Sequence, residues 1–454
     1  MQTIHEKERE IPVHASVDVL VVGSGPAGLA AAIAAKRAGA DVLILERYGC
    51  FGGVISQVGV EGFAWYRHEG TIEAGGLVPE FEEMSIRVGG KNPECQSTSQ
   101  ALDAEMFKYA ADRMVEEAGI RPILHCTAVE AIMDGDTIQG VITESKSGRL
   151  AILAKRVIDC TGDADIVALS GAPFTKAPKN ELMSVTTMFH CKGVDTARFK
   201  EYVENELKPT YKDWGGYWSI QTTGKEDDLF SPYFERPFVE AVTDGVVPKE
   251  EDVCLGGTWS TVTDDGEVTQ LNVVFISNID CTDVEDLTRA EIVGRRNALR
   301  CVEVLRKKVP GFENAKLRNF GMTLGCRESR KLDGQYCLTQ QDVMEQGRFE
   351  DTVGIFPEFI DGIGYLILPT TGRYYQIPYR CLVPKKVENL LVAGRCISGD
   401  RVAHVSFRNM SCCVTTGQAA GIAAAVSLRD GTTTSQVDVS HVQQELEKQH
   451  VRIR

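Results

Sequence analysis

The residues best equipped for chemistry gather near the two ends of the chain. Gly23, Gly25 and Gly28 stand in Gly23-Ser24-Gly25-Pro26-Ala27-Gly28, a G-x-G-x-x-G spacing, and Glu46 follows 23 residues after Gly23. At that spacing the first glycine permits a tight turn, the second lets backbone approach a pyrophosphate, and the third allows close helix–strand packing. Glu46 is placed to accept hydrogen bonds from a ribose hydroxyl pair. Far along the chain, His404 and Arg408 lie four apart. A histidine exchanges protons near neutral pH, and a guanidinium offers two parallel donors to a carboxylate or an oxyanion. Arg373 and Tyr374 sit in Gly372-Arg373-Tyr374-Tyr375-Gln376-Ile377-Pro378-Tyr379-Arg380. That mixture suits a ring-stacking, carboxylate-binding wall, and an ordinary return strand fits it nearly as well.

These groups need a frame. Val17 and Val19 to Val22 form a β-branched run suited to a buried parallel strand. Pro26 stands where a first helical residue would be, since its fixed φ fits and its missing N–H costs nothing there. Leu29 to Ala38 are mostly alanine, the best helix former, and Gly39 ends the helix. Val42 to Leu45 make a second buried strand closed by Glu46. Strand, helix, strand and acid at these distances make the glycine pattern a specific signal for a dinucleotide, with its pyrophosphate on the helix N-terminus.

The chain has 454 residues and a net charge of −15. That length suits two or three domain-sized cores, and the acidic balance argues against nucleic acid as a partner. The first residues are charged and form no signal peptide, and the apolar run at 17–35 is explained as strand and helix, so no membrane insertion is expected. The 14 cysteines contain no C-x-x-C. This excludes common zinc-ribbon, iron–sulfur and thioredoxin-like spacings, so no metal site is expected and the thiols read as reduced, in a cytoplasmic protein. Cys50 lacks a nearby partner and reads as packing, as does the vicinal pair Cys412-Cys413.

In chain order, glycines crowd 49–53, as if backbone passed close to a flat ligand. Residues 57–98 read as irregular, with Trp65, Tyr66 and His68. Ser99 to Gly119 has the period of an amphipathic helix with Leu102, Met106, Tyr109, Ala110, Met114 and Val115 on one face. Ile123–Met133, Thr137–Ser145 and Arg149–Ile158 read as a β-meander, the last strand running into Asp159-Cys160-Thr161-Gly162-Asp163. That is a second glycine turn aimed at the crevice beyond the strand ends. Residues 173–385 carry most of the tryptophan and tyrosine and read as an inserted α+β substrate domain. Within them, Cys326-Arg327-Glu328-Ser329-Arg330 reads equally well as a surface ion-pair network. Leu390-Leu391-Val392-Ala393-Gly394-Arg395 returns to the apolar strand pattern. A loop over Cys396–Met410 and a helix over Ser411–Leu428 follow, with Thr416-Gly417-Gln418-Ala419-Ala420-Gly421 placed to face a ligand. The expected division is 1–172 and 386–454 for a Rossmann-like dinucleotide domain of α/β class, a parallel sheet plus meander, with 173–385 inserted.

Four segments together resemble the bacterial FAD-dependent oxidoreductase family, whose FAD domain is related to fumarate reductases and heterodisulfide reductase flavin subunits. They are GSGPAGLAAAIAAKRAGADVLILER, the Val157–Asp165 turn, YQIPYRCLVP, and NLLVAGRCIS with SFRNM and TGQAAG. CRESRKLDGQYCLTQQDV also looks like a segment of that family. The resemblance implies FAD, with Glu46 at the adenosine ribose and Gly23, Gly25 and Gly28 along the pyrophosphate. It implies Gly162 and Asp163 at the second turn, and Gly394, Arg395 and Gly417, Gln418 and Ala419 beside the ribityl chain and isoalloxazine. Pro26, Ala27, Arg47, Gly53 and Val129 complete the expected cofactor set. Where the family usually carries Ser-Ala-Thr-His-Glu-Ala, this chain has Ser398-Gly399-Asp400-Arg401-Val402-Ala403, so Arg401 replaces the family's histidine and His404 follows three residues later.

The expected activity is two-electron transfer between FAD and a small polar organic substrate, as a dehydrogenase or reductase. His404 is the expected acid–base group and Arg408 the anion holder, with Arg373 and Tyr374 opposite. An NAD(P)H-dependent flavin monooxygenase and a non-catalytic electron-carrier subunit are the alternatives. There is no second G-x-G-x-x-G with a following acid, so no separate NAD(P)H domain is expected. An external electron donor or acceptor and a homo-oligomer are both compatible with this reading.

Overall fold

The structure, a computed structural model, describes residues 2–63, 73–92, 101–214, 218–222, 224, 226–368 and 372–454. Trp65, Tyr66, His68 and the expected helix start at Ser99 lie outside them.

Strand β1 (Val13–Val22), helix α1 (Pro26–Arg37) and strand β2 (Val42–Leu45) follow the sequence pattern closely. β1 and β2 pair in parallel, Val19 with Val42 through Val22 with Leu45. The sheet runs Arg121–Ile123, β2, β1, Gly148–Asp159, Thr137–Ser145, Thr127–Asp134, and Leu390–Val392 adds in parallel beside the end of Gly148–Asp159. Both faces are covered. Val19, Val21, Val42 and Ile44 belong to the core built with α1 and the helix Met410–Arg429. Leu20, Val22, Leu43 and Leu45 belong to a second core with the meander residues Ile138 and Val141. Burial on both sides is why these strands read as continuous apolar runs and not as alternating ones.

The expected strand Ile123–Met133 is broken in two. Arg121–Ile123 continues the parallel sheet beside β2, His125 takes a left-handed φ of 55°, and Thr127–Asp134 leaves in the antiparallel direction. The expected helix from Ser99 is Ala104–Glu117, because the Asp103 carboxylate accepts hydrogen bonds from the backbone N–H groups of Glu105 and Met106 and caps it there. Phe107 and Ala111 join its buried face, while Tyr109 is exposed.

A separate core takes residues between Val185 and Leu324. Its sheet runs Tyr233–Phe234, Val253–Thr258, Glu267–Ile276, Phe189–Lys192, Lys316–Phe320, and the helix Val284–Lys308 packs against it, capped by Asp283. Residues from Leu338 to Val383 pack instead into the core of α1 and Met410–Arg429. The stretch expected as one insertion, 173–385, thus contributes to more than one core, with Leu332 in the core of the meander. The helix Met410–Arg429 is apolar and long enough to cross a membrane, but nearly all of it is buried inside the protein. That is what a core helix requires.

Candidate active site

One cavity of about 1230 Å³ opens at the carboxyl ends of the parallel strands and continues into the space between the two sheets. Gly23, Gly25, Pro26 and Ala27 of the first turn line it, with Glu46, Arg47 and Gly53 after β2. Gly162 and Asp163 of the second turn and Gly394 and Arg395 of the third complete that end. Three turns distant in sequence meet here because their strands lie side by side in one sheet, which is where open α/β sheets bind ligands.

The fit to a dinucleotide is physical. Gly23 has φ +95°, and a Cβ there would run into the carbonyl oxygen of Cys160. Gly53 has φ +52°, and its Cβ would come 2.5 Å from the Cα of Gly25. Both clashes are with backbone of a neighbouring turn, so side chains at these places would force apart the turns that form the cradle. Glu46 is buried yet lines the cavity. Its carboxylate is held by the Ser24 N–H at 3.0 Å, the Ser24 hydroxyl at 2.6 Å and the Tyr48 N–H at 2.9 Å. Cys126 donates its N–H to the Glu46 carbonyl, which draws Cys126, Thr127 and Ala128 to the cavity wall. Val129, expected there, lies one residue beyond that lining.

Asp163 and Arg395 form a part-buried ion pair. Arg395 also donates to the Cys326 carbonyl at 2.8 Å, and Asp163 accepts from the Ser329 hydroxyl at 2.6 Å. Burial alone would push the Asp163 carboxyl up; Arg395 and Ser329 outweigh it and hold the group below its ordinary value. Asp165, half-buried, is pushed up to about 6 by desolvation and by the neighbouring Asp163 charge.

Several expected site residues stand elsewhere. A Cβ on Gly28 would overlap the Gly23 carbonyl, so this glycine serves packing as its spacing implied, but it does not reach the cavity. The last core helix begins at Met410, and Gly417, Gln418 and Ala419 are buried two turns along it. Gly417 packs on Ala27, and the Gln418 side-chain carbonyl accepts the Leu77 N–H at 3.0 Å. Asn409, Met410 and Cys413 take the place at the cavity. The expected 396–410 loop contains a helix, Arg401–Phe407, whose first turn is capped by Asp400. That helix turns His404 inward, where it is 1% exposed and contacts the Arg327 carbonyl through Nε2 at 3.0 Å. Burial drives its pKa well below the ordinary value, so the imidazole is neutral and off the cavity wall. Arg373 pairs with Glu358 and donates to the Met344 carbonyl at 2.7 Å, and Arg348 lies 3.9 Å from the Tyr374 ring centre. Neither Arg373 nor Tyr374 lines the cavity. Arg408 does, with Asp361 3.7 Å away.

The sequence left two groups unassigned. Arg327 and Arg401 join Arg408 at the cavity, and Arg401 pairs with Glu181 at 3.7 Å. Trp214, Trp218 and Tyr233 line the far lobe. The signal for Arg327 was its place in the charge-dense 326–330 segment, where Arg330 does pair with Asp165 and Lys331 with Glu328.

Residues 18–446 match the family model described as FAD dependent oxidoreductase. The chain belongs to that family. It is 30% identical over 219 residues to digeranylgeranylglycerophospholipid reductase 2 of Methanopyrus kandleri, a match covering 46% of this chain and 52% of the relative. It is 28% identical over 165 residues to thiamine thiazole synthase of Metallosphaera sedula, covering 34% of this chain and 57% of the relative. The chain thus spans little more than half the length of these curated relatives. Among solved structures, a p-nitrophenol 4-monooxygenase from Pseudomonas putida superposes with a TM-score of 0.49 at 11% identity, over 95% of this chain and 84% of that one.

Proposed function

We propose that this flavoenzyme is a dehydrogenase or reductase that transfers an electron pair, as hydride, between FAD and a small polar organic substrate. FAD when bound supplies the redox chemistry; the protein supplies binding, orientation and charge. The observation that carries this reading is the continuity of the cavity. The same space that begins at the glycine cradle extends past Asn409, Met410 and Cys413 into a lobe bounded by the second sheet, with arginines on its wall. Such a lobe gives a substrate a concave, largely apolar site with a few charged groups to fix its orientation. Arg408, held against Asp361, is the residue placed to orient a polar substrate there.

The test is flavin bleaching. Purified protein loaded with FAD is mixed anaerobically with a panel of small organic acids, alcohols and amines, and in parallel reduced and offered their oxidised counterparts. Substrate-dependent bleaching or recolouring without oxygen supports the reading. NAD(P)H consumption coupled to oxygen and to hydroxylation of a panel compound would identify a monooxygenase instead. No turnover, together with a stable protein partner that exchanges electrons with the flavin, would identify an electron carrier.

A further inference from the structure

Arg327 is a half-buried cation with no ion pair to a carboxylate among the described residues. Among the described residues its hydrogen-bond acceptors are neutral, the Ser184 carbonyl at 3.0 Å and the Asn272 side-chain oxygen at 3.3 Å. Its guanidinium lies 5.0 Å from the centre of the Phe275 ring. Arg408 is close enough to repel it, and burial with that repulsion lowers Arg327 to about 10. Asp361 attracts both, so two guanidinium groups share one carboxylate. The other charges nearby are matched, Arg401 with Glu181 and Lys331 with Glu328. Arg327 and Arg408 thus have only Asp361 as a shared close carboxylate, and a half-buried charge poorly matched in this way is favourably completed by an anion. The Nε atoms of Arg401 and Arg408 are also buried without an acceptor among the described residues.

Another part of the cavity lining is aromatic. Trp214 lies between Tyr211 and Tyr233, with ring centres 6.1 and 5.0 Å away at 19° and 16°, and the Trp214 N–H donates to the Ser231 hydroxyl at 2.7 Å. Trp218 stands edge-on to Trp214 at 5.6 Å and lines the cavity. The two walls are fastened to one hairpin turn. Arg408 donates to the Asp361 carbonyl, and Ser219, next to Trp218, donates its N–H to the Gly364 carbonyl at 2.7 Å. Three residue steps separate Asp361 from Gly364, so these anchors are at most about 11 Å apart.

We infer that the lobe takes a planar aromatic carboxylate, its anion on Arg327 and Arg408 and its ring against the Trp214–Trp218 wall. This names the substrate class for the lobe on which the proposed function rests. Rings gain from aromatic neighbours beyond their area, and a carboxylate accepts two donors from a guanidinium.

The experiment measures binding, without turnover, so that its failure is separable from failure of the redox reading. FAD-loaded protein is titrated with benzoate, benzamide and acetate, followed by flavin absorbance and by calorimetry. The expected result is saturable benzoate binding, with benzamide and acetate each at least about tenfold weaker. Arg327→Met should remove the preference for benzoate over benzamide and retain the yellow colour. Trp218→Leu should narrow the preference for benzoate over acetate. Equal affinity for all three probes, or no binding of benzoate, overturns the inference. The wild-type ranking decides the matter even where a variant does not fold. Benzoate binding with no substrate found in the bleaching panel would count against the redox reading and leave the site standing.

Discussion

Gly417 faces the backbone of Ala27 with no room for a side chain, since a Cβ on the glycine would overlap the Ala27 carbonyl group. The contact joins the glycine-turn helix to the last core helix, and a Cβ on Gly421 would meet Ala31 one turn further on in the same way. Small residues therefore let two helices approach closely at the back of the nucleotide cradle. Gly417→Val should cost about 1–3 kcal/mol or more through overpacking. The check is a lowered thermal or urea midpoint with normal flavin content in the fraction that remains folded. Normal stability with loss of flavin would mean that Gly417 contacts the cofactor after all.

His404 separates a packing role from a chemical one. His404→Ala should lower stability by roughly 1–3 kcal/mol, because the Arg327 carbonyl loses its partner and a buried space opens. The rate of flavin reduction by substrate should stay within about threefold of wild type, far short of the 10²–10⁴-fold loss expected of an acid–base catalyst. A hundredfold loss in a variant of normal flavin content would return His404 to the chemistry.

The pair Asp163–Arg395 should behave as one unit. Asp163→Asn leaves the half-buried Arg395 with no carboxylate in contact among the described residues, a change expected to cost about 1–3 kcal/mol. Arg395→Met added to Asp163→Asn should recover part of that loss, because both charges are then gone. Urea unfolding of the two single variants and the double variant measures the coupling, and strict additivity would refute it.

Glu61 gives a pH signature. Burial raises its carboxyl from 4.5 to about 8 in the folded protein, against the hydrogen bonds from Thr269 and from the Ala104 N–H. Between those values the folded state holds a proton that the unfolded chain has released, so this contribution to stability declines as pH rises and is gone above about pH 8. His190, whose Nδ1 is 3.9 Å from Glu61, acts in the opposite sense. Burial lowers its pKa from 6.5 to about 4, so its contribution is intact above 6.5 and is lost as pH falls through that window. Above pH 6.5 the Glu61 effect stands alone. Glu61→Gln should flatten the fall in urea midpoint between pH 6.5 and 8; an unchanged slope would show that other groups set it.

The nucleotide half was legible because its information is consecutive. Turn, helix, strand and acid follow one another within Gly23 to Glu46, and local rules suffice. The substrate side was not, for reasons that differ residue by residue. Gly417 to Ala419 have the composition both of a helix start facing phosphate and of a close helix crossing, and only the partner helix decides between them. His404 and Arg408 look equivalent four residues apart, yet the short helix Arg401–Phe407 buries the first and leaves the second at the cavity. Arg373 and Tyr374 carry suitable chemistry on a strand whose facing cannot be read from its own residues. Arg327 is told from Arg330 only by what surrounds it, a neutral carbonyl and amide in one case and Asp165 in the other. Trp214 and Trp218 reach the site across long stretches of sequence, where no spacing rule applies.

The strand Leu390–Val392 completes the sheet beside Gly148–Asp159 and brings Gly394 and Arg395 to the cradle. During synthesis, the first two glycine turns therefore emerge long before the third. Contacts of such large sequence separation form slowly, because the intervening chain must be closed into a loop first. The half-built cradle would wait with its apolar strands uncovered, a state prone to aggregation. Added flavin should therefore raise the yield of refolding, by capturing the assembled site, more than it speeds the early formation of β1, α1 and β2.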